Sequence, residues 1–346
     1  MSLEQRIKSL VGVRNILHQF IKKESLNTPT YSEFENIINL AEIRNPWFTK
    51  KNVLFAFEYW SNTLTYDNIS NWLSHYPIPE HNSKTAGLIL AGNIPMVGFH
   101  DCLCVLLTGY KANIKLSSKD NVLIPFFLNL WKEFCEEIEF EFVEILKEYD
   151  VVLSTGSNNT ARYFEHYFKN VPHIIRKNRT GVAVLTGNET DEELLAFSND
   201  VFTYFGLGCR NVSQIIIPRT YNMDRLFDAF LHHEDIINHN KYANNYDYNK
   251  AIYLMNKNTF WDNNFFLLKK SDELFSPVGV LYYKTNYILI PAVKLFVSRN
   301  RPKIQCVVSN EDIEDLDTIP FGQSQNPKLS DYPDGIDTLT FLLSSI

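Results

Sequence analysis

TAGLILAGNIPMVGFHDCLCVLLTGYKANIKLSS, residues Thr85 to Ser118, decides the fold. Its opening run, TAGLILAG, is short and apolar throughout, the pattern of a strand buried on both faces. VGFHDCLCVLLTGY follows as an apolar helix ending at Gly109, and ANIKLS as a second buried strand. The order repeats downstream. NVLIPFFLNLWKEFCEEI reads as a helix with Pro125 near its start, YDVVLSTG as a strand and TARYFEHYFKN as a helix. Strand, loop and helix in alternation predict an α/β fold with a parallel sheet covered by helices. Ligands of such sheets lie at the carboxyl ends of the strands.

A second α/β segment begins at TGVAVLTG and continues through the helix DEELLAFSNDVFTYF, a glycine-lined turn carrying Cys209, and the strand SQIIIP. A helix, YNMDRLFDAFLHH, comes next. The polar stretch NHNKYANNYDYNK after it reads as a solvated loop or helix face. The first ~80 residues read as mostly helical, and their aromatic patch VLFAFEYW suits a core or a groove equally.

At 346 residues the chain has room for two domains. Its net charge of -7, with lysine and arginine scattered, excludes a general nucleic-acid binder. No apolar run approaches the roughly 18 residues of a membrane helix, and no signal peptide is expected from the opening residues. Five cysteines (102, 104, 135, 209 and 306) form no CxxC pair. That pattern predicts reduced thiols in a cytoplasm, packing roles for Cys102 and Cys104, and no metal site.

Each strand of the first segment ends in a distinctive loop: AGNIP (Ala91 to Pro95), KLSSKD (Lys115 to Asp120) and STGSNNTA (Ser154 to Ala161). Singly, Asn93 reads equally as a helix cap, Lys115 as a solvated charge and Gly156-Ser157 as an ordinary N-terminal turn. Together with GLGC around Cys209 and DELFSPV around Glu273, they resemble the motifs of the aldehyde dehydrogenase superfamily, in the same order. AGNIP, FGLGCRNVS and IPFGQSQNP…DYPDGIDTLTFL are most similar to its bacterial acyl-CoA reductases, including the reductase of the luminescence fatty-acid complex.

The resemblance implies two α/β domains with mostly parallel sheets. A Rossmann-like nicotinamide-cofactor domain would occupy residues 1–178 and a catalytic domain 179–346, with the C-terminal segment returning toward the region between them. It implies Cys209 as nucleophile and Asn93 as an oxyanion donor beside the nucleophile's own N–H. Lys115 would hold the adenosine ribose, with Ser117 and Ser118 in the same loop. Gly156 and Ser157 would meet the pyrophosphate, and Glu273 the nicotinamide ribose. A thioester carbonyl suits a thiolate nucleophile, and a pyrophosphate suits a helix N-terminus.

Three departures shape the expectation. Arg176, in RKNR, falls where hydrolytic relatives carry their general-base glutamate, which favours the CoA-linked branch over the acid-forming one. Ser118, followed by Lys119, falls where NAD-preferring relatives often carry glutamate, which favours NADPH over NADH. Ala161 closes the Gly-Ser-x-x-x-Gly pattern. The implied activity is NADPH-dependent reduction of a long-chain fatty acyl-CoA to the aldehyde through a cysteine acyl-enzyme. The 25 Phe and 18 Tyr supply side chains for an acyl tunnel or simply for the core. Alternatives are another activated acyl donor (an acyl phosphate or an acyl carrier protein thioester) and a non-catalytic nucleotide-binding subunit. Implied protein partners are further copies of the chain or an acyl-transfer or synthetase subunit. His100, near the Asn93 loop, reads as structural.

Overall fold

A computed structural model describes residues 2–24, 28–286 and 289–346. The chain divides into two compact units, residues 1–178 with 328–346 and residues 179–327. The last 19 residues, expected within 179–346 but returning toward the region between the domains, pack with the first unit.

The first unit opens with four helices: α1 (Leu3–Lys22), α2 (Thr28–Arg44), α3 (Lys50–Thr63) and α4 (Tyr66–Leu73). The strand–helix alternation then runs β1 (Thr85–Ile89), α5 (Phe99–Leu107), β2 (Lys111–Lys115), α6 (Leu123–Phe134), β3 (Phe140–Phe142), β4 (Val151–Thr155), α7 (Asn158–Tyr167) and β5 (His173–Arg176). The five strands form one parallel sheet in the order β3-β2-β1-β4-β5. That order reverses between β1 and β4, the kind of position at whose carboxyl ends open parallel sheets bind ligands. The aromatic patch in α3 packs a core: Phe57 and Trp60 are buried, and Phe57 meets Phe34 and Phe127 edge to face.

The second unit comprises β6 (Thr180–Val184), α8 (Asp191–Phe202), β7 (Val212–Pro218), α9 (Met223–Phe230), α10 (Asn240–Met255), β8 (Trp261–Asp262), β9 (Leu267–Lys270), β10 (Val280–Asn286), α11 (Leu289–Asn300), β11 (Ile304–Val308) and β12 (Thr318–Ile319). Its sheet runs β12-β11-β6-β7-β10-β9-β8, parallel except for the pairing of β8 with β9. The polar stretch after His239 is a full helix, α10. Its buried face is Tyr242, Tyr246, Asn249 and Tyr253, spaced four, three and four apart. Tyrosines bury their rings there while keeping partners for the hydroxyls, Asp262 for Tyr246 and Tyr282 for Tyr253.

Residues 328–346, with the final helix α12 (Thr338–Ser344), return to the first unit. Polar bonds fasten them. Trp72 Nε1 donates to the Tyr332 hydroxyl at 2.8 Å, Tyr76 donates to Asp337 at 2.9 Å, and His100 Nε2 lies 2.8 Å from the Leu329 carbonyl. His100 is thus a structural residue. Both cysteines of α5 are wholly buried, as their apolar setting predicts.

Candidate active site

In the first unit the signature loops gather at the carboxyl ends of β1, β2 and β4. Asn93 follows β1, Lys115 ends β2 with Ser117 and Ser118 after it, and Gly156 and Ser157 follow β4. The first two loops are packed at contact distance. A Cβ on Gly92 would lie 2.7 Å from Ser117 Oγ and 2.9 Å from the Asp120 nitrogen, so only glycine fits. Asp120, 3% exposed, accepts the Met96 N–H at 2.9 Å and so ties KLSSKD to the far side of GNIP. Met96 has φ of +58°, a left-handed conformation that needs such support in a non-glycine residue. Burial pushes the Asp120 carboxyl up to about 7, against the opposing effect of the Met96 N–H. Sequence reading passed over Asp120, because an aspartate in a polar loop looks solvated.

The Lys115 ammonium donates to the Glu144 carbonyl, and Ser118 and Lys119 are exposed. Ser157 caps α7, accepting the Thr160 N–H at 3.2 Å, and the Gly156 N–H is engaged by the Arg176 carbonyl at 3.2 Å. A cation, two hydroxyls and a helix N-terminus along one sheet edge form a donor set that fits a dinucleotide's ribose and phosphates.

Arg176, expected at the place of the hydrolytic base, ends β5 and is buried. Its Nη2 lies 2.6 Å from Asp101 Oδ1 on α5, and the guanidinium also donates to Thr338 Oγ1 and to the Pro333 carbonyl. Burial pulls its pKa down, but Asp101 outweighs burial and holds the guanidinium above its ordinary range.

In the second unit Cys209 lies before β7, at the amino end of the strand and not at the carboxyl edge where parallel sheets usually bind ligands. Tyr204, Phe205 and Gly206, just upstream, all have positive φ (55°, 59° and 75°). Cys209 is half-buried, whereas Cys306 is buried and its thiol is pushed up to about 12. Glu273 is exposed on the connection from β9 to β10. The strand that follows the cysteine turn anchors this connection. Ser213 Oγ donates to the Leu274 carbonyl at 2.6 Å, and Gln214 Nε2 to the Glu273 carbonyl at 2.8 Å. The Tyr282 hydroxyl stands 3.5 Å from Glu273 Oε2. Cys209 and Glu273 are therefore tied to one strand, β7. Asn93, Lys115, Ser117, Ser118, Gly156 and Ser157 belong to the other unit.

No protein-family model and no curated protein matches the chain. Solved structures do. Aldehyde dehydrogenase 21 from Physcomitrella patens, in complex with the reaction product succinate, superposes with a TM-score of 0.68 at 10% identity, over 100% of this chain and 84% of its own. Mycobacterium tuberculosis aldehyde dehydrogenase complexed with NAD+ gives 0.60 at 12% identity, over 86% and 71%. Substrate-bound AldH from Staphylococcus aureus gives 0.57 at 16% identity, over 94% and 82%. Among the described residues no helix is long and apolar enough to cross a membrane. The chain has the fold of the aldehyde dehydrogenases, two α/β units with mostly parallel sheets.

Proposed function

We propose that the protein reduces a fatty acyl-CoA to the corresponding aldehyde with NADPH, through an acyl-enzyme on Cys209. The observation that supports this most is the ion pair of Arg176 with Asp101. Where a hydrolytic enzyme needs a free carboxylate to activate water, this chain has a buried guanidinium locked at 2.6 Å onto another acid. An acyl-enzyme lacking that base resists water and can be discharged by reduction.

The Cys209 thiolate adds to the thioester carbonyl carbon, and the amide of Asn93 with the Cys209 N–H stabilises the oxyanion. The carbon–sulfur bond to CoA breaks and CoA leaves as the thiolate. The dinucleotide, when bound, supplies a hydride to the acyl carbon. The bond from that carbon to the Cys209 sulfur then breaks, releasing the aldehyde and re-forming the thiolate. Lys115, Ser117 and Ser118 would hold the adenosine ribose, the start of α7 at Gly156 and Ser157 the pyrophosphate, and Glu273 the nicotinamide ribose. Exposed Ser118 beside Lys119 adds no negative charge against a 2′-phosphate, which supports NADPH over NADH.

The test is cofactor oxidation and aldehyde release from acyl-CoA, with mass spectrometry of the trapped acyl-enzyme. Wild-type turnover in Cys209→Ala would end the mechanism, and a higher kcat/KM with NADH would end the cofactor assignment. Competition with acyl phosphate and acyl carrier protein thioesters identifies the donor.

A further inference from the structure

The turn that carries Cys209 is built around Asn211, which is 2% exposed. Its backbone N–H bonds the Gly208 carbonyl at 3.1 Å, which closes a four-residue turn with Cys209 and Arg210 as the central pair. Its Oδ1 accepts the Gly208 N–H at 2.8 Å, so one residue grips both backbone groups of Gly208. Its amide nitrogen reaches the carbonyls of Thr203 at 2.8 Å and Asp200 at 3.1 Å. The side chain therefore bridges Thr203 and Gly208, the two ends of the segment holding Tyr204, Phe205 and Gly206.

That segment is strained. A left-handed conformation is disfavoured for any non-glycine residue, and two aromatic residues adopt it consecutively here. Such geometry persists only where surrounding bonds over-determine it. The Asn211 side chain supplies those bonds at both ends, and Asp200 is itself fixed by the N–H groups of Gly322 and Ser324 at 2.6 and 2.9 Å.

We propose that Asn211 is a positioning residue for the nucleophile, fixing the Gly208–Asn211 turn so that Cys209 presents its thiolate and its N–H in one relation to the acyl carbonyl. The proposal rests on the reading of Cys209 as nucleophile. The amide is suited to the task in a way a carboxylate is not. Aspartate would keep the acceptor for Gly208 but lose the donors to Thr203 and Asp200.

The experiment compares Asn211→Ala, Asn211→Asp and Cys209→Ala in the full chain, measuring kcat, KM for acyl-CoA and iodoacetamide alkylation at Cys209 and Cys135. Asn211→Ala is expected to lower kcat about a hundredfold, the scale of a misplaced oxyanion donor, with KM changed less than about threefold. Asn211→Asp, nearly unchanged in shape, keeps the acceptor for Gly208 and loses the donors, and is expected to lower kcat at least about tenfold with KM changed less than about threefold while Cys135 alkylates as before. The aspartate variant carries the test if the alanine variant fails to fold. A kcat within about threefold of wild type in either Asn211 variant overturns the proposal. If Cys209→Ala keeps turnover, the nucleophile reading falls instead.

Discussion

Gln214, wholly buried in β7, donates its side-chain N–H to the carbonyl of Glu273 at 2.8 Å and to that of Ser271 at 3.1 Å. The strand that begins just after Cys209 therefore sets the path of the loop bearing the carboxylate proposed to hold the nicotinamide ribose. Gln214→Leu keeps the volume and leaves two part-buried carbonyls without their donor, at about 1 kcal/mol each. The loop would shift, and KM for the dinucleotide is expected to rise about tenfold, equal to ~1.4 kcal/mol. Alkylation of Cys209 should not change. An unaltered cofactor KM would show that the loop holds its course without this bond.

The thiols should separate by burial. Cys102 and Cys104 are wholly buried, and burial drives both thiols well above their ordinary range; Cys306 is pushed up to about 12. Cys209 and Cys135 are half-buried. At pH 8 a thiol reagent applied to the native protein is expected to modify Cys209 and Cys135 and to reach the other three only after unfolding. Pre-incubation with acyl-CoA should protect Cys209 and not Cys135. Labelling of Cys306 as fast as Cys209 would contradict the burial argument, and equal protection of both half-buried thiols would contradict the acyl-enzyme.

Much of this was legible from sequence where burial follows composition. Strands such as TAGLI and TGVAV read correctly because both faces are apolar, and the loops they end in carry recognisable residues. Other elements were not read, and two show why. β5, HIIR, is four residues long and bounded by Pro172 and charged side chains, too short for a periodic signal. α10 buries tyrosine and asparagine where a helix normally buries aliphatic residues, so its polar sequence read as solvated. The supports of the site were hidden for a related reason. Asp120, Asn211 and Gln214 are polar residues whose burial is set by tertiary contacts. The partner of Arg176 lies 75 positions away on α5.

The pH dependence of stability should carry the mark of Asp120. Its carboxyl is raised from 3.8 to about 7 by burial. The folded chain thus keeps a proton that the unfolded chain releases between about pH 4 and 7. The stability from this group is full below about pH 4 and is lost as pH rises through 7. Melting of the wild type should decline between pH 5 and 8 more than that of Asp120→Asn, which cannot ionise. Parallel profiles would mean that the carboxyl is already charged at pH 5.

Placing a glutamate at position 176 is expected to unfold the first unit before it creates a hydrolase. Arg176 and Asp101 pair at 2.6 Å with side chains 4% and 9% exposed, and the same guanidinium bonds Thr338 and the Pro333 carbonyl of the returning C-terminal segment. Arg176→Met strands Asp101 as a buried unpaired charge, a loss of about 3–5 kcal/mol. Melting of that unit should fall by about 10 °C. Arg176→Glu sets a second carboxylate against the first and should be worse. Asp101→Asn with Arg176→Met removes both charges and should recover much of the loss, because a buried pair is worth little relative to a neutral replacement. Calorimetry on the three variants checks the order. A stable Arg176→Glu protein that releases free fatty acid from acyl-CoA would instead show position 176 to be the place where reduction and hydrolysis diverge, with Asp101 irrelevant to the fold.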